Sequence, residues 1–116
     1  MRHRKGNRKL GRATDQRVAM LRGIVLSLLK YGKVKTTHTR AKEARKMAEK
    51  VIALAKYNDI PSRKAVFSIV RDKEVVSKLF KEAPAKFEGR PGGFTRMTKI
   101  GSRRGDNAPF VLLEIL

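Results

Sequence analysis

The segment THTRAKEARKMAEKVIALA, residues 37–55, decides how this sequence folds. Ala44, Met47, Ala48, Val51, Ile52 and Ala55 recur at i, i+3, i+4, i+7, i+8 and i+11, which lines up one apolar stripe on a helix. Thr37 or Thr39 can cap its start. The other side carries Arg40, Lys42, Arg45, Lys46 and Lys50, so the helix can be buried on one side while its cations meet either phosphate or solvent.

Working outward, Lys33-Val34-Lys35-Thr36-Thr37 is short, β-branched and alternating, and predicts a strand with Lys33 and Lys35 on one side. Before it, Thr14 and Asp15 start a helix whose face is Val18, Leu21, Ile24, Val25 and Leu28, and Gly32 ends it. Downstream, the turn Asn58-Asp59-Ile60-Pro61 leads into Ala65, Val66, Ile69 and Val70. Asp72 then caps a helix with Val75, Val76, Leu79 and Phe80 that should end before Pro84. Beyond Lys86 the glycines at 89, 92, 93, 101 and 105 disfavour helix, while Phe94 to Ile100 and Phe110 to Leu116 favour strand. The last of these is apolar on both alternating faces except at Glu114, which suits the central strand of a small sheet. The order is therefore helix, strand, three helices, two strands, an α+β domain spanning 14–116.

Residues 1–13 differ in kind. They hold six Lys or Arg, one His and no acid, and no periodic apolar face, which predicts an extended basic arm, with a solvated tail as the alternative. Across the chain, 29 Lys and Arg against 10 Asp and Glu leave a net charge of +19. Such a monomer repels itself unless an anionic partner covers it, and nucleic acid fits that description. Roughly 6–10 phosphate contacts would make binding fall ~10³–10⁵-fold between 50 and 200 mM salt. That charge does not separate RNA from DNA, so a histone-like, DNA-compacting protein is the alternative.

Other classes find little support. The chain has no Cys, hence no disulfide and no thiolate metal site. Arg2 to Lys5 could begin a signal peptide, but Gly6 to Arg12 stays polar where an apolar segment should follow, and Ile24 to Leu29 is too short for the ~20 residues of a membrane helix. Gly6-Asn7-Arg8-Lys9-Leu10-Gly11-Arg12-Ala13 has the glycine spacing of a phosphate-binding P-loop. Yet Arg12 replaces its Lys, Ala13 its Mg²⁺-binding hydroxyl, and no strand precedes it. His3 and His38 stand 35 residues apart without an acidic cluster, so neither suggests a metal or a general base. No catalytic residue, cofactor, membrane or small-molecule substrate is expected, nor a homo-oligomer.

Two loops join the arm as basic elements. Arg90-Pro91-Gly92-Gly93-Phe94-Thr95-Arg96 places charges beside glycines that allow close approach of a backbone to phosphate, and a plain glycine turn is the other reading. Phe94 could stack on an unpaired base but reads more readily as core. Arg103 and Arg104 stand between Gly101 and Gly105.

Met1-Arg2-His3-Arg4-Lys5 with Leu10-Gly11-Arg12, Lys35-Thr36-Thr37, Gly92-Gly93-Phe94-Thr95-Arg96 and Gly105-Asp106-Asn107-Ala108-Pro109 together resemble the bacterial L17 family of large-subunit ribosomal proteins. The resemblance spans essentially the whole chain. It implies a two-layer fold with a small mixed sheet, and a cytoplasmic structural protein of the large subunit. Its arm would run into large-subunit (23S) ribosomal RNA near the peptide exit, beside neighbouring ribosomal proteins. By the same resemblance the RNA-contact candidates are Arg2, His3, Arg4, Lys5, Arg8, Lys9 and Arg12 on the arm, Lys35 and Thr36, then Arg90, Gly92, Gly93, Arg96, Arg103 and Arg104. Phe94 stands where the family more often has Tyr, so no hydroxyl reaches RNA from that position.

Overall fold

A computed structural model describes residues 14–116. The arm predicted over 1–13, with its candidates Arg2, His3, Arg4, Lys5, Arg8, Lys9 and Arg12, lies outside the described residues. Elements follow in the order α1 (Thr14–Tyr31), β1 (Lys33–Thr37), α2 (His38–Tyr57), α3 (Ile60–Val70), α4 (Lys73–Lys86), β2 (Thr95–Ser102) and β3 (Pro109–Ile115).

Local chemistry explains where these elements begin and end. Gly32, at φ +82°, takes the left-handed conformation that stops α1, and its amide bonds the Leu28 carbonyl at 2.8 Å. Asp59 caps α3 by accepting from the Ser62 amide at 2.9 Å, and Asp72 caps α4 through the Val75 amide at 3.2 Å. The Ser62 hydroxyl and amide hold the Asp59 carboxyl below its ordinary pKa. Thr37 occupies the N-cap position of α2 with extended backbone, but its side chain makes no capping bond. Pro84 does not end α4, as the sequence suggested. Buried Ala83 and Phe87 anchor the last turn on either side of it, and the Phe87 amide bonds the Ala83 carbonyl at 3.0 Å.

The stripe on α2 is the spine of the core. Ala44, Ala48, Val51, Ile52 and Ala55 are all buried, against Leu21, Val25 and Leu28 of α1, Val66 and Val70 of α3, and Val76 and Phe80 of α4. Several of its members are alanines, whose small side chains let neighbouring helices approach closely. The helices form one layer and a sheet of order β1-β3-β2 the other.

β3 is central, as its doubly apolar sequence predicted. The sheet is antiparallel at both pairings, which corrects the expectation of a mixed one. Two features enforce this: a six-residue connection, 103–108, can join β2 to β3 only as antiparallel neighbours, and β1 leaves Gly32 at the end where β3 finishes. There the Ile115 amide bonds the Gly32 carbonyl at 3.0 Å. β2 also continues beyond Ile100 to Ser102, through an irregularity between Lys99 and Gly101.

Candidate nucleic-acid interface

The loop before β2 is built from buried parts outward. Phe94 is buried and meets Phe87 edge-to-face, ring centroids 5.0 Å apart, so it belongs to the core and is not available to stack on a base. Glu49, one turn along from Arg45 on α2, receives the chain that follows. Its carboxylate accepts from the Phe94 amide at 3.1 Å, the Thr95 amide at 3.2 Å and the Thr95 hydroxyl at 2.9 Å. Arg45 completes the junction, with Nε 3.1 Å from the Thr95 hydroxyl. Two turns beyond Glu49, Lys56 donates to the Arg90 carbonyl and lies 5.4 Å from the centre of the Phe94 ring.

Arg90 closes this loop by donating to the Gly93 carbonyl at 3.2 Å. Gly93, at φ +67°, needs glycine for its backbone. Gly92 does not: its φ lies outside the left-handed region, and a Cβ there would meet nothing within 4 Å. The fold itself thus places no demand for glycine at 92. Arg96, farther along β2, is ion-paired with Glu114 at 2.8 Å on the sheet face away from the helices, and its side chain is still 60% exposed. A guanidinium has five donors, so an internal pair leaves capacity for a phosphate.

The second loop is held by its own residues. Arg103 is paired with Asp106, whose carboxylate also accepts from the Ala108 amide at 3.2 Å. The Arg103 guanidinium and the Ala108 amide hold the Asp106 carboxyl down to about 2, while Asp106 raises the pKa of Arg103. Arg104 is exposed at the tip.

This loop reaches the start of α2. Thr37, His38, Thr39, Arg40, Arg103, Ala108 and Pro109 line one open cleft of about 400 Å³. The first turn of α2 contains no acid and no side-chain cap, so its amide dipoles add to the field of Arg40 and Arg103. Sequence reading did not bring Arg40 and Arg103 together, because their proximity depends on β1 pairing with β3, which carries the loop to the helix. Lys35 and Thr36 separate: Lys35 is exposed on the outer sheet face, whereas Thr36 is half-buried on the helix side beside Val111.

Part of the basic face of α2 is structurally engaged. Arg45 serves the β2 junction and Lys46 meets buried Glu43 at 3.4 Å, while Lys42 and Lys50 are exposed. Among the described residues there is no group of His, Cys, Asp and Glu able to hold a metal, and no helix is long and apolar enough to cross a membrane.

The family model for ribosomal protein L17 matches residues 20–116. The chain belongs to the ribosomal protein L17 family. That family is structural and not enzymatic. The chain is 50% identical over 116 residues to the large ribosomal subunit protein bL17 of Desulforapulum autotrophicum, covering 100% of this chain and 97% of the relative. To the proteins of the same name in Clostridium botulinum and Clostridium perfringens it is 55% identical over 111 residues, covering 96% of this chain and 98% of each relative.

Proposed function

We propose that this chain is a structural constituent of the large ribosomal subunit that binds large-subunit ribosomal RNA near the peptide exit, in the cytoplasm and beside other large-subunit proteins. The observation that carries the reading is identity of 50–55% with large-subunit proteins along nearly the whole chain. The RNA contacts are assigned to the arm residues Arg2, His3, Arg4, Lys5, Arg8, Lys9 and Arg12, to Lys35 and Thr36, and to Arg90, Gly92, Gly93, Arg96, Arg103 and Arg104.

Geometry supports the assignments within 90–104 in three ways. Arg90, Arg96 and Arg103 are each fixed by a bond to their own chain, so little side-chain entropy remains to be lost when a phosphate arrives. Glycine at 92, which the fold does not demand, leaves room for close approach of a sugar-phosphate backbone. The cleft between the start of α2 and Arg103 combines helix amides with the Arg40 guanidinium and with Arg103, whose charge is shared with Asp106. Arm and domain divide the task, 1–13 extending into RNA and 14–116 acting as one docking body. No feature favours histone-like DNA compaction over this reading.

Salt-washed large subunits, analysed by mass spectrometry, provide the test. The protein should remain with the particle at stoichiometric yield; its loss into the wash or its absence from the particle would refute the proposal.

A further inference from the structure

β3 carries apolar side chains on both faces, yet the helices cover only one. Leu113 is in the core and Ile115 packs against it, whereas Phe110 and Leu112 point the other way and stay half-buried. Register puts Lys33, Lys35 and Thr37 of β1 and Arg96 and Thr98 of β2 on the same outer face. Lys33, Lys35, Arg96 and Thr98 are exposed. The only acid that the strand pairing places among them, Glu114, is occupied by Arg96 at 2.8 Å. At one end Phe110 stands between Thr37 and Gly101. A Cβ at Gly101 would meet nothing within 4 Å, so the strand leaves open space at that position. Ile100, beside it, is 45% exposed.

We infer that this outer sheet face takes an unpaired stretch of RNA, with phosphates at Lys33 and Lys35 and a base against Phe110 and Leu112. The inference rests on the RNA-binding reading above and adds to it a surface of a different kind from the arm and loops. Duplex RNA offers phosphates and groove edges but no unstacked base for the apolar strip, whereas a single strand satisfies the cations and the strip together. A protein partner would need acids opposite Lys33 and Lys35 set beside apolar groups for Phe110 and Leu112, whereas every nucleotide of a single strand carries both a phosphate and a flat base.

Full-length protein and an unstructured oligouridylate test this. The double substitution Lys33→Gln with Lys35→Gln should reduce the slope of log affinity against log salt by about 1.4, at about 0.7 per phosphate contact on a single strand. Phe110→Leu should weaken oligouridylate binding by about fivefold or more with the slope unchanged. Deleting residues 2–12 runs in parallel. If that deletion weakens binding and the sheet variants do not, this inference alone fails; if neither matters, the RNA-binding reading fails with it.

A second measurement does not depend on how the variants fold. The chain has no cysteine, so Thr98→Cys gives a single attachment point for a benzophenone on this face, on β2 beside Leu112. In assembled large subunits the crosslink should go to ribosomal RNA. A crosslink to protein, or none at all, would overturn the inference.

Discussion

The two glycine-bounded loops solve the same problem by opposite means. The 90–94 loop takes its shape from the core: Glu49 and Lys56 of α2 reach it across the fold, and Phe94 is locked against Phe87. The 103–108 loop carries its shape within itself. Arg103 bonds Asp106, Asp106 bonds the Ala108 amide, and the Arg103 amide bonds the Ala108 carbonyl at 2.8 Å. Perturbing the core should therefore disturb the first loop and leave the second unchanged.

Phe94→Ala should break this contrast most severely. Removing a buried ring costs about 3–5 kcal/mol, and the midpoint of urea unfolding reads that loss. Because the same ring anchors the loop, RNA affinity should fall even under conditions where the variant is fully folded.

Glu49→Gln comes next, with about 1–3 kcal/mol lost, since a side-chain amide offers one acceptor where the Phe94 and Thr95 amides need two. The substitution also separates positioning from simple charge. It raises the net charge by one from +19, so electrostatics alone predicts tighter binding to ribosomal RNA, whereas loss of loop geometry predicts weaker binding. Filter binding at fixed salt decides the sign, and amide exchange at Phe94 and Thr95 should accelerate while exchange at Ala108 does not.

Asp106→Asn has the reverse pattern. It should leave the melting temperature where it was, speed exchange at Ala108 and spare Phe94. The pH response of this loop follows from the lowered Asp106 pKa. A depressed carboxyl favours the folded loop fully above its unfolded value of 3.8, and the contribution disappears as pH falls through about 2. Carbon-detected NMR titration of Asp106 should give a midpoint near 2; a midpoint near 3.8 would mean that the Arg103 pair does not persist in solution.

What the sequence reveals and what it hides divide along the same line. The α2 stripe, the stop at Gly32, the cap at Asp72 and the central place of β3 are legible because each depends on residues a few positions apart, or on the pattern of a single segment. Glu49 is not legible as the anchor of β2, since nothing in AEKV distinguishes it from a solvated acid on a helix face. Lys56 and the meeting of Arg40 with Arg103 are hidden for the same reason: their partners are distant in sequence and are brought close by strand pairing. Pro84 misleads because a local rule about proline is outweighed by the burial of Ala83 and Phe87 around it. The strand direction misleads because it depends on which ends of β1 and β3 meet.

The charge that marks the chain as a polyanion binder does not by itself choose the polyanion. A competition experiment does: full-length protein bound to large-subunit ribosomal RNA at fixed salt is challenged with an equal phosphate concentration of duplex DNA. The account predicts that the protein stays on the ribosomal RNA; equal partition between the two would contradict it.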